Sequence, residues 1–158
     1  MKKIASLFLI LIATVSCTQD LSRNNPALQG LKDEILWRAK DSHAVLESNG
    51  SLIITGLTQY ETLILTTAAA APATYSLGVN NANRVAYNFS KDDIDLNYAT
   101  GPGMGDGEIV ITEFDEGNMT VTGTFRFNAE NLDGNPAGGA VLNFREGHFY
   151  KVPVIPAL

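Results

Sequence analysis

Residues 119–128 alternate strictly between apolar and polar side chains, and this pattern constrains the fold more than any other feature of the sequence. Successive side chains of a strand point to opposite sides, so the alternation predicts a strand with one buried and one solvated face. A pairing shift of one residue would expose both Phe125 and Phe127, and burying each is worth about 1.5–3 kcal/mol. The register of this strand is therefore well specified. Gly123 in its middle predicts a β-bulge or a close backbone approach.

Comparable segments recur along the chain and are separated by short turn motifs. About ten of them, at a spacing of roughly 8–12 residues, predict an all-β fold, either an antiparallel β-sandwich or a small barrel. The predicted strands are one that contains Leu36, Trp37 and Ala39, followed by 43–47, 52–57, 62–67, 74–78, 84–89, 94–98, 108–114, 119–128, 140–145 and 149–154.

The turn motifs make more specific predictions. Asn49-Gly50 is the strongest hairpin signal, because a two-residue turn of this kind needs a positive φ at both positions. Glu146-Gly147 predicts a turn between the last two strands, and 116–118 and 133–136 predict turns earlier in the chain.

The segment 26–39 is ambiguous between helix and strand. Pro26 suits the first position of a helix, and Leu28, Leu31 and Ile35 have helical spacing. Glycine weakens a helix interior, and one lies at position 30. We therefore expect at most one turn of helix before the first strand.

The first 17 residues have the pattern of a bacterial export signal. Lys2 and Lys3 precede an apolar run over residues 4–13, which as a helix would rise about 15 Å, half the thickness of a bilayer core. The run is too short to span a membrane stably and suits a secretory signal peptide. Thr14-Val15-Ser16-Cys17 follows and resembles the lipobox, at which bacterial lipoproteins are cut before a cysteine that carries diacylglycerol.

Cys17 is the only cysteine of the chain, so its lipidation would leave no thiol for catalysis, a disulfide or zinc. We expect residues 1–16 to form a lipoprotein signal peptide, 17–25 a lipidated polar tether, and 26–158 a single all-β domain. Two or more acyl chains anchor a protein stably. The expected location is the outer membrane, at its periplasmic or its surface face. Thr14 stands where a lipobox usually has Leu, and an ordinary signal peptide with an incidental cysteine is the alternative.

Removal of residues 1–16 would leave 9 of the 11 basic residues against 17 acidic ones. An acidic domain without a basic cluster repels phosphate backbones, so no nucleic-acid partner is expected. The negative net charge of the domain would not attract it to an anionic lipid surface either. The expected membrane contact is the acyl anchor alone.

Three motifs invite a chemical interpretation, and each has a plainer one. The loop Gly101–Gly107 is rich in glycine, but a P-loop needs Gly-Lys-Ser/Thr and a following helix, so we interpret it as a connection. Asp93, Asp95 and Asn97 have the spacing of calcium ligands without the Gly and Glu of an EF-hand loop. His43 and His148 are the only histidines, and nothing in their context indicates a zinc site. We therefore predict no metal, no cofactor and no catalytic residues.

Aromatic residues and the polar face of 119–128 are candidates for a binding surface. Trp37 and the tyrosines are able to stack on sugars, but strand-like contexts favour the core for Trp37, Tyr60, Tyr75, Tyr87 and Tyr98. The polar residues of 119–128 are interpreted as an ordinary solvated face.

Several segments, taken in their order along the chain, carry a family resemblance: 24–30, 36–39, 107–112, 121–125 and 147–154. Together they resemble a family of small Bacteroidota lipoproteins catalogued only as a domain of unknown function. The resemblance covers most of residues 24–155 and implies a secreted, lipid-anchored all-β domain without established catalytic residues.

These observations predict a lipid-anchored envelope protein that is not an enzyme and acts as a binding or structural β-domain. Its partner would be an envelope protein or a glycan. One alternative is a small barrel that carries an apolar ligand, as lipocalin-like folds do. A less favoured alternative is a glycan hydrolase, which needs a pair of carboxylic acids in a cleft.

Overall fold

The computed structural model describes residues 27–157, and the chain is all-β throughout this range, as predicted. None of the described residues forms a helix long and apolar enough to cross a membrane. Eleven strands follow one another: β1 Leu28–Lys32, β2 Ile35–Arg38, β3 Asp41–Leu46, β4 Leu52–Leu57, β5 Glu61–Thr67, β6 Ala73–Leu77, β7 Arg84–Lys91, β8 Ile94–Ala99, β9 Asp106–Asp115, β10 Thr120–Asn131 and β11 Val141–Pro156.

All eleven strands belong to one sheet that closes on itself. The pairing runs β11-β3-β4-β5-β7-β8-β10, and β10 pairs again with β11, which completes a ring. The short hairpin β1–β2 is attached to β11, β9 is attached to β10, and β6 is attached to β9. The pairings are antiparallel except for β3 beside the end of β11, where Ala44 faces Val154. β10 and β11 therefore form the long seam of the ring.

The strand predicted over 119–128 is confirmed as β10, with Val121, Gly123, Phe125 and Phe127 buried. It begins one residue later than predicted, because Met119 lies in the preceding turn with a φ of 49° and is only partly buried. Gly123 is confirmed as both a bulge and a close approach. The register shifts on either side of β10 at this point, and a Cβ on Gly123 would lie 2.0 Å from the carbonyl oxygen of Val110. The same Cβ would lie 2.5 Å from the ring of Phe149, which occupies the space above the glycine.

The expected turn at Glu146-Gly147 is wrong, because β11 continues through both residues. Gly147 faces Phe125 across the β10–β11 seam, and a Cβ on Gly147 would lie 2.5 Å from that ring. The glycine is therefore required for packing. Glu146 has a φ of 50° and accompanies a register shift, so a bulge occupies the place of the predicted turn.

The helical turn expected within 26–39 is also wrong where the structure describes it, because residues 28–32 form β1. Leu28 is fully buried whereas Ile35 is 70% exposed, so the two do not share a buried helix face. The β1–β2 turn is formed by Asp33 and Glu34, which have positive φ values of 45° and 66°.

The hairpin at Asn49-Gly50 is present, but its geometry differs from the prediction. Only Gly50 has a positive φ, at 86°. The amide of Gly50 donates to the carbonyl of Glu47 (2.9 Å), and the amide of Glu47 donates to Ser51 (2.9 Å). This pattern is typical of a three-residue loop in which glycine follows a type I turn.

Aromatic side chains fill the inside of the ring. Phe144 on β11 is fully buried and lies at its centre, with ring centroids 5.6 Å from Trp37, 6.2 Å from Tyr87, 5.8 Å from Phe125 and 5.0 Å from Phe127. Aromatic pairs at these separations add to the stabilisation given by burial alone.

One end of the ring carries four connections: 33–34, 58–60, 92–93 and 132–140. Neighbouring strands of the ring run in opposite directions, except for the parallel β3–β11 pair. This arrangement places all four connections at the same end. We call this the turn end. It holds the two features described next.

Candidate functional site

A polar cluster lies just inside the turn end, centred on the carboxylate of Glu61 at the start of β5. Glu61 accepts hydrogen bonds from Trp37 Nε1 (2.9 Å), Tyr87 OH (2.6 Å) and Thr58 Oγ1 (3.0 Å), and it forms a salt bridge with Lys32. Lys32 Nζ also donates to Tyr87 OH at 2.9 Å. We call these five residues the Glu61 cluster.

The hydrogen bonds keep Glu61 ionised despite its partial burial. Its side chain is 15% exposed and that of Lys32 is 25% exposed. Burial alone would raise the pKa of Glu61, but the hydrogen bonds from Lys32 and Tyr87, the charge of Lys32 and the bond from Thr58 outweigh it and hold the pKa below its ordinary value. Burial, together with the bond to Glu61 and its negative charge, raises the pKa of Tyr87.

The cluster fastens the β1–β2 hairpin to the ring at a place where backbone pairing does not. Among the described strands, β2 pairs with β1 alone, so its other edge lacks a neighbouring strand. Glu61 on β5 bonds to Trp37 on β2, to Lys32 on β1 and to Tyr87 on β7. The side chains thus tie the β1–β2 hairpin to the opposite wall.

A cleft of about 400 Å³ opens beside the cluster and lies within the size range of ligand pockets. The loop 137–139 forms one side of it, and Lys32 and Asp33 contribute its charges. Six of its lining side chains are aliphatic or aromatic: Tyr87, Phe89, Ile94, Leu96, Tyr98 and Leu142. We call this the turn-end cleft.

Asp33 gives the cleft a negative character. One of its oxygens accepts the amide of Asn143 at 3.0 Å, which fixes the side chain at the edge of the sheet. Burial and the charge of Asp33 raise the pKa of Tyr98, whose hydroxyl donates to the carbonyl of Gly139 (3.1 Å). The lysine of the cleft, Lys32, is neutralised by its salt bridge with Glu61.

Large apolar side chains are exposed around the cleft. Of eight described residues of this kind, six lie within two residues of the turn-end connections: Ile35, Leu36, Tyr60, Ile94, Leu132 and Val141. Isolated exposed apolar residues are ordinary, but these six are concentrated at one end of the domain.

The predicted connection at Gly101–Gly107 is a hydrogen-bonded loop with no sign of a phosphate site. The amide of Gly105, which a phosphate would need, donates instead to the carboxylate of Glu130 at 3.0 Å. The amide of Gly103 donates to the carbonyl of Gly78 at 2.8 Å. A carboxylate in this position would repel an anion.

The acidic segment 93–97 does not converge on an ion. Asn97 donates to the side chain of Asp133 at 2.6 Å and is bonded to Asn88, and the backbone oxygen of Asp95 accepts from Asn135 at 3.0 Å. These bonds hold the 132–140 loop against β8. Within residues 27–157, no group of three His, Cys, Asp or Glu side chains is arranged to hold a metal ion.

The structure does not bring the two histidines together in one site. His43 lies on β3 opposite Thr55. His148 lies on β11, and its Nε2 is 2.6 Å from Gln29 Nε2 on β1. Its other ring nitrogen contacts the backbone oxygen of Glu146 (3.3 Å).

The core positions predicted for Trp37, Tyr75, Tyr87 and Tyr98 are confirmed, since all four side chains are buried. The same prediction for Tyr60 is wrong, because the residue is 41% exposed. Tyr60 lies in the β4–β5 turn, outside the paired strands.

Sequence reasoning missed both the Glu61 cluster and the turn-end cleft. The four partners of Glu61 come from three strands and one turn, and nothing in the sequence pairs them. One local signal was available: Thr58 Oγ1 also accepts the amide of Glu61 at 3.0 Å, a short-range turn motif visible as Thr-x-x-Glu. The lipidation site Cys17 and the tether lie outside the described residues.

Together, the ring-like sheet and the partly apolar cleft describe a small all-β domain with an open cleft at its turn end. The chain belongs to the family described as Domain of unknown function (DUF6252), which it matches over residues 24–153. Comparison with curated proteins and with solved structures found no match.

Proposed function

We propose that this protein is a lipid-anchored lipoprotein of the bacterial outer membrane that binds a ligand at its turn end and does not catalyse a reaction. The observation that carries the proposal is the turn-end cleft, about 400 Å³ in volume, surrounded by exposed apolar side chains. Pockets with apolar walls and a few fixed polar groups are the usual form of a ligand site.

The membrane anchor in this proposal rests on the sequence. An apolar run over residues 4–13 precedes Cys17, and 10 residues separate this cysteine from the first residue of β1. An extended segment of that length reaches about 35 Å. β1 runs from Leu28 towards the turn end, so the chain enters the domain away from the cleft.

Carriage of an apolar ligand inside the ring is less well supported than binding at its end. The interior is occupied by Phe125, Phe127, Phe144 and Phe149, each no more than 2% exposed. A ligand would have to displace these rings, and core packing tolerates such insertion poorly. The turn-end cleft is already open.

Glycan hydrolysis gains no support from the described carboxylic acids. A glycosidase needs one carboxyl group with a raised pKa as its general acid. Burial raises the pKa of Glu61, but its hydrogen bonds lower it to a net value below the ordinary one. Hydrogen bonds from Asn118 lower the pKa of Asp115. Asp33 is the one acidic residue that lines the turn-end cleft.

The anchor is tested by cell fractionation of the natural host. Cys17→Ala should move the protein from the membrane fraction to the soluble fraction, because the acyl acceptor is gone. Ser16→Ala is the matched control, since it keeps a small residue before the cysteine, and it should remain with the membrane. Unchanged membrane association of Cys17→Ala would refute the anchor.

A further inference from the structure

We propose that the turn-end cleft binds a small organic cation, a primary amine carried on an apolar body. This inference rests on the proposed function and names the class of ligand. It combines the shape of the cleft, its apolar walls and the charge of the surrounding turn end.

The apolar walls determine the body of the ligand. Phe89, Leu96 and Leu142 line the cleft beside the buried rings of Tyr87 and Tyr98. An apolar ligand that binds against these walls loses its contact with water, and each Å² of apolar surface buried in this way favours binding by about 25 cal/mol. At about 400 Å³, the cleft has room for a small molecule rather than for a protein surface.

The charges determine the polar group of the ligand. The turn end contains five aspartates that form no salt bridge with a described residue, namely Asp33, Asp92, Asp93, Asp95 and Asp133. Its two lysines offset them only in part. Lys32 is neutralised by Glu61, and Lys91, whose Nζ lies 5.2 Å from the centroid of the neutral Tyr60 ring, balances one of the five negative charges. A cation is therefore attracted, and an anion is repelled.

Asp33 is the group we expect to meet the amine. It lines the cleft, and the bond from the Asn143 amide to one of its oxygens leaves the other oxygen available. Asp33→Asn removes the charge with little change in shape. Asn also tolerates the positive φ of 45° at this position.

The test uses three probes of matched size that differ in charge: 2-phenylethylammonium, 2-phenylethanol and 3-phenylpropanoate. Each is titrated into the full chain, purified in a mild detergent, while NMR follows the amide signals of Gly138, Gly139 and Leu142. The cation should bind most tightly, roughly threefold to tenfold more tightly than the alcohol, with the anion weakest. High salt should reduce the difference between cation and alcohol.

Two variants and a control locate the site. Asp33→Asn should weaken binding of the cation by roughly threefold to tenfold and leave binding of the alcohol unchanged. Ala137→Phe should weaken all three probes, because this exposed residue of the loop lines the cleft. Glu116→Gln removes an exposed charge at the β9–β10 turn, outside the cleft, and should change none of them.

Equal binding of the three probes, or preference for the anion, would overturn the inference. Failure of all three to bind would also overturn it. Neither result bears on membrane attachment through Cys17, which fractionation of Cys17→Ala tests separately.

Discussion

The substitution Glu61→Gln is the sharpest perturbation of this fold. Glutamine has nearly the shape of glutamate, but it lacks the negative charge that balances Lys32. It also replaces one carboxylate oxygen by an NH2 group, which cannot accept a hydrogen bond from the donors that surround Glu61. The Lys32 ammonium, 25% exposed, would lose its counterion, and Trp37 Nε1 or Tyr87 OH would lose its acceptor. The bonds at risk are those that hold the β1–β2 hairpin to the opposite wall.

The expected cost follows from these losses. Breaking a fully buried ion pair costs about 3–5 kcal/mol, and partial exposure of Lys32 and Glu61 reduces this to about 2–3 kcal/mol. For a domain of this size, we expect the Tm to fall by about 6–12 °C. Adding Lys32→Met to Glu61→Gln should recover part of the lost stability, because it removes the lysine charge that no longer has a counterion.

Thermal unfolding followed by circular dichroism measures the effect. The control is Glu108→Gln, which breaks the exposed salt bridge between Glu108 and Arg126 (3.1 Å) and should cost less than about 1 kcal/mol. If Glu61→Gln melts within about 2 °C of Glu108→Gln, the cluster does not hold the β1–β2 hairpin to the opposite wall and the reasoning is wrong.

Two further predictions concern stability. The folded pKa of Glu61 lies below its unfolded value of about 4.3, so its stabilisation is present above that pH and is lost as the pH falls through the folded pKa. The Tm difference between the wild type and Glu61→Gln should therefore narrow in acid, and a constant difference would contradict the assignment. Gly147→Ala and Gly123→Ala should each cost about 2–3 kcal/mol in urea unfolding, because the new Cβ meets a phenylalanine ring at 2.5 Å. Gly139→Ala, whose Cβ would have its nearest neighbour at 3.5 Å, should be close to neutral, and equal losses for all three variants would refute the packing argument.

The sequence predicted the parts of the fold that depend on neighbours along the chain. The alternation over 119–128 and the hairpin at Asn49-Gly50 are local signals, and both elements are present. A glycine, however, has the same sequence signature in a turn as in a packed strand. The sequence therefore predicts a turn at Gly147, although what requires this glycine is the ring of Phe125 on another strand.

The candidate site could not be predicted because its members are distant in sequence. Lys32, Trp37 and Tyr87 are separated from Glu61 by 29, 24 and 26 positions. They meet only once the ring closes and the parallel β3–β11 pair sets the strand directions. The turn-end cleft likewise needs the 132–140 loop to lie against β8, a contact made by side-chain bonds such as Asn97 to Asp133.

The modification of Cys17 is the most direct test of the proposed function. Mass spectrometry of the N-terminal peptide from natively expressed protein should show a chain that begins at Cys17 and carries a thioether-linked diacylglycerol. An unmodified cysteine, or a mature chain that retains residues 1–16, would contradict the account.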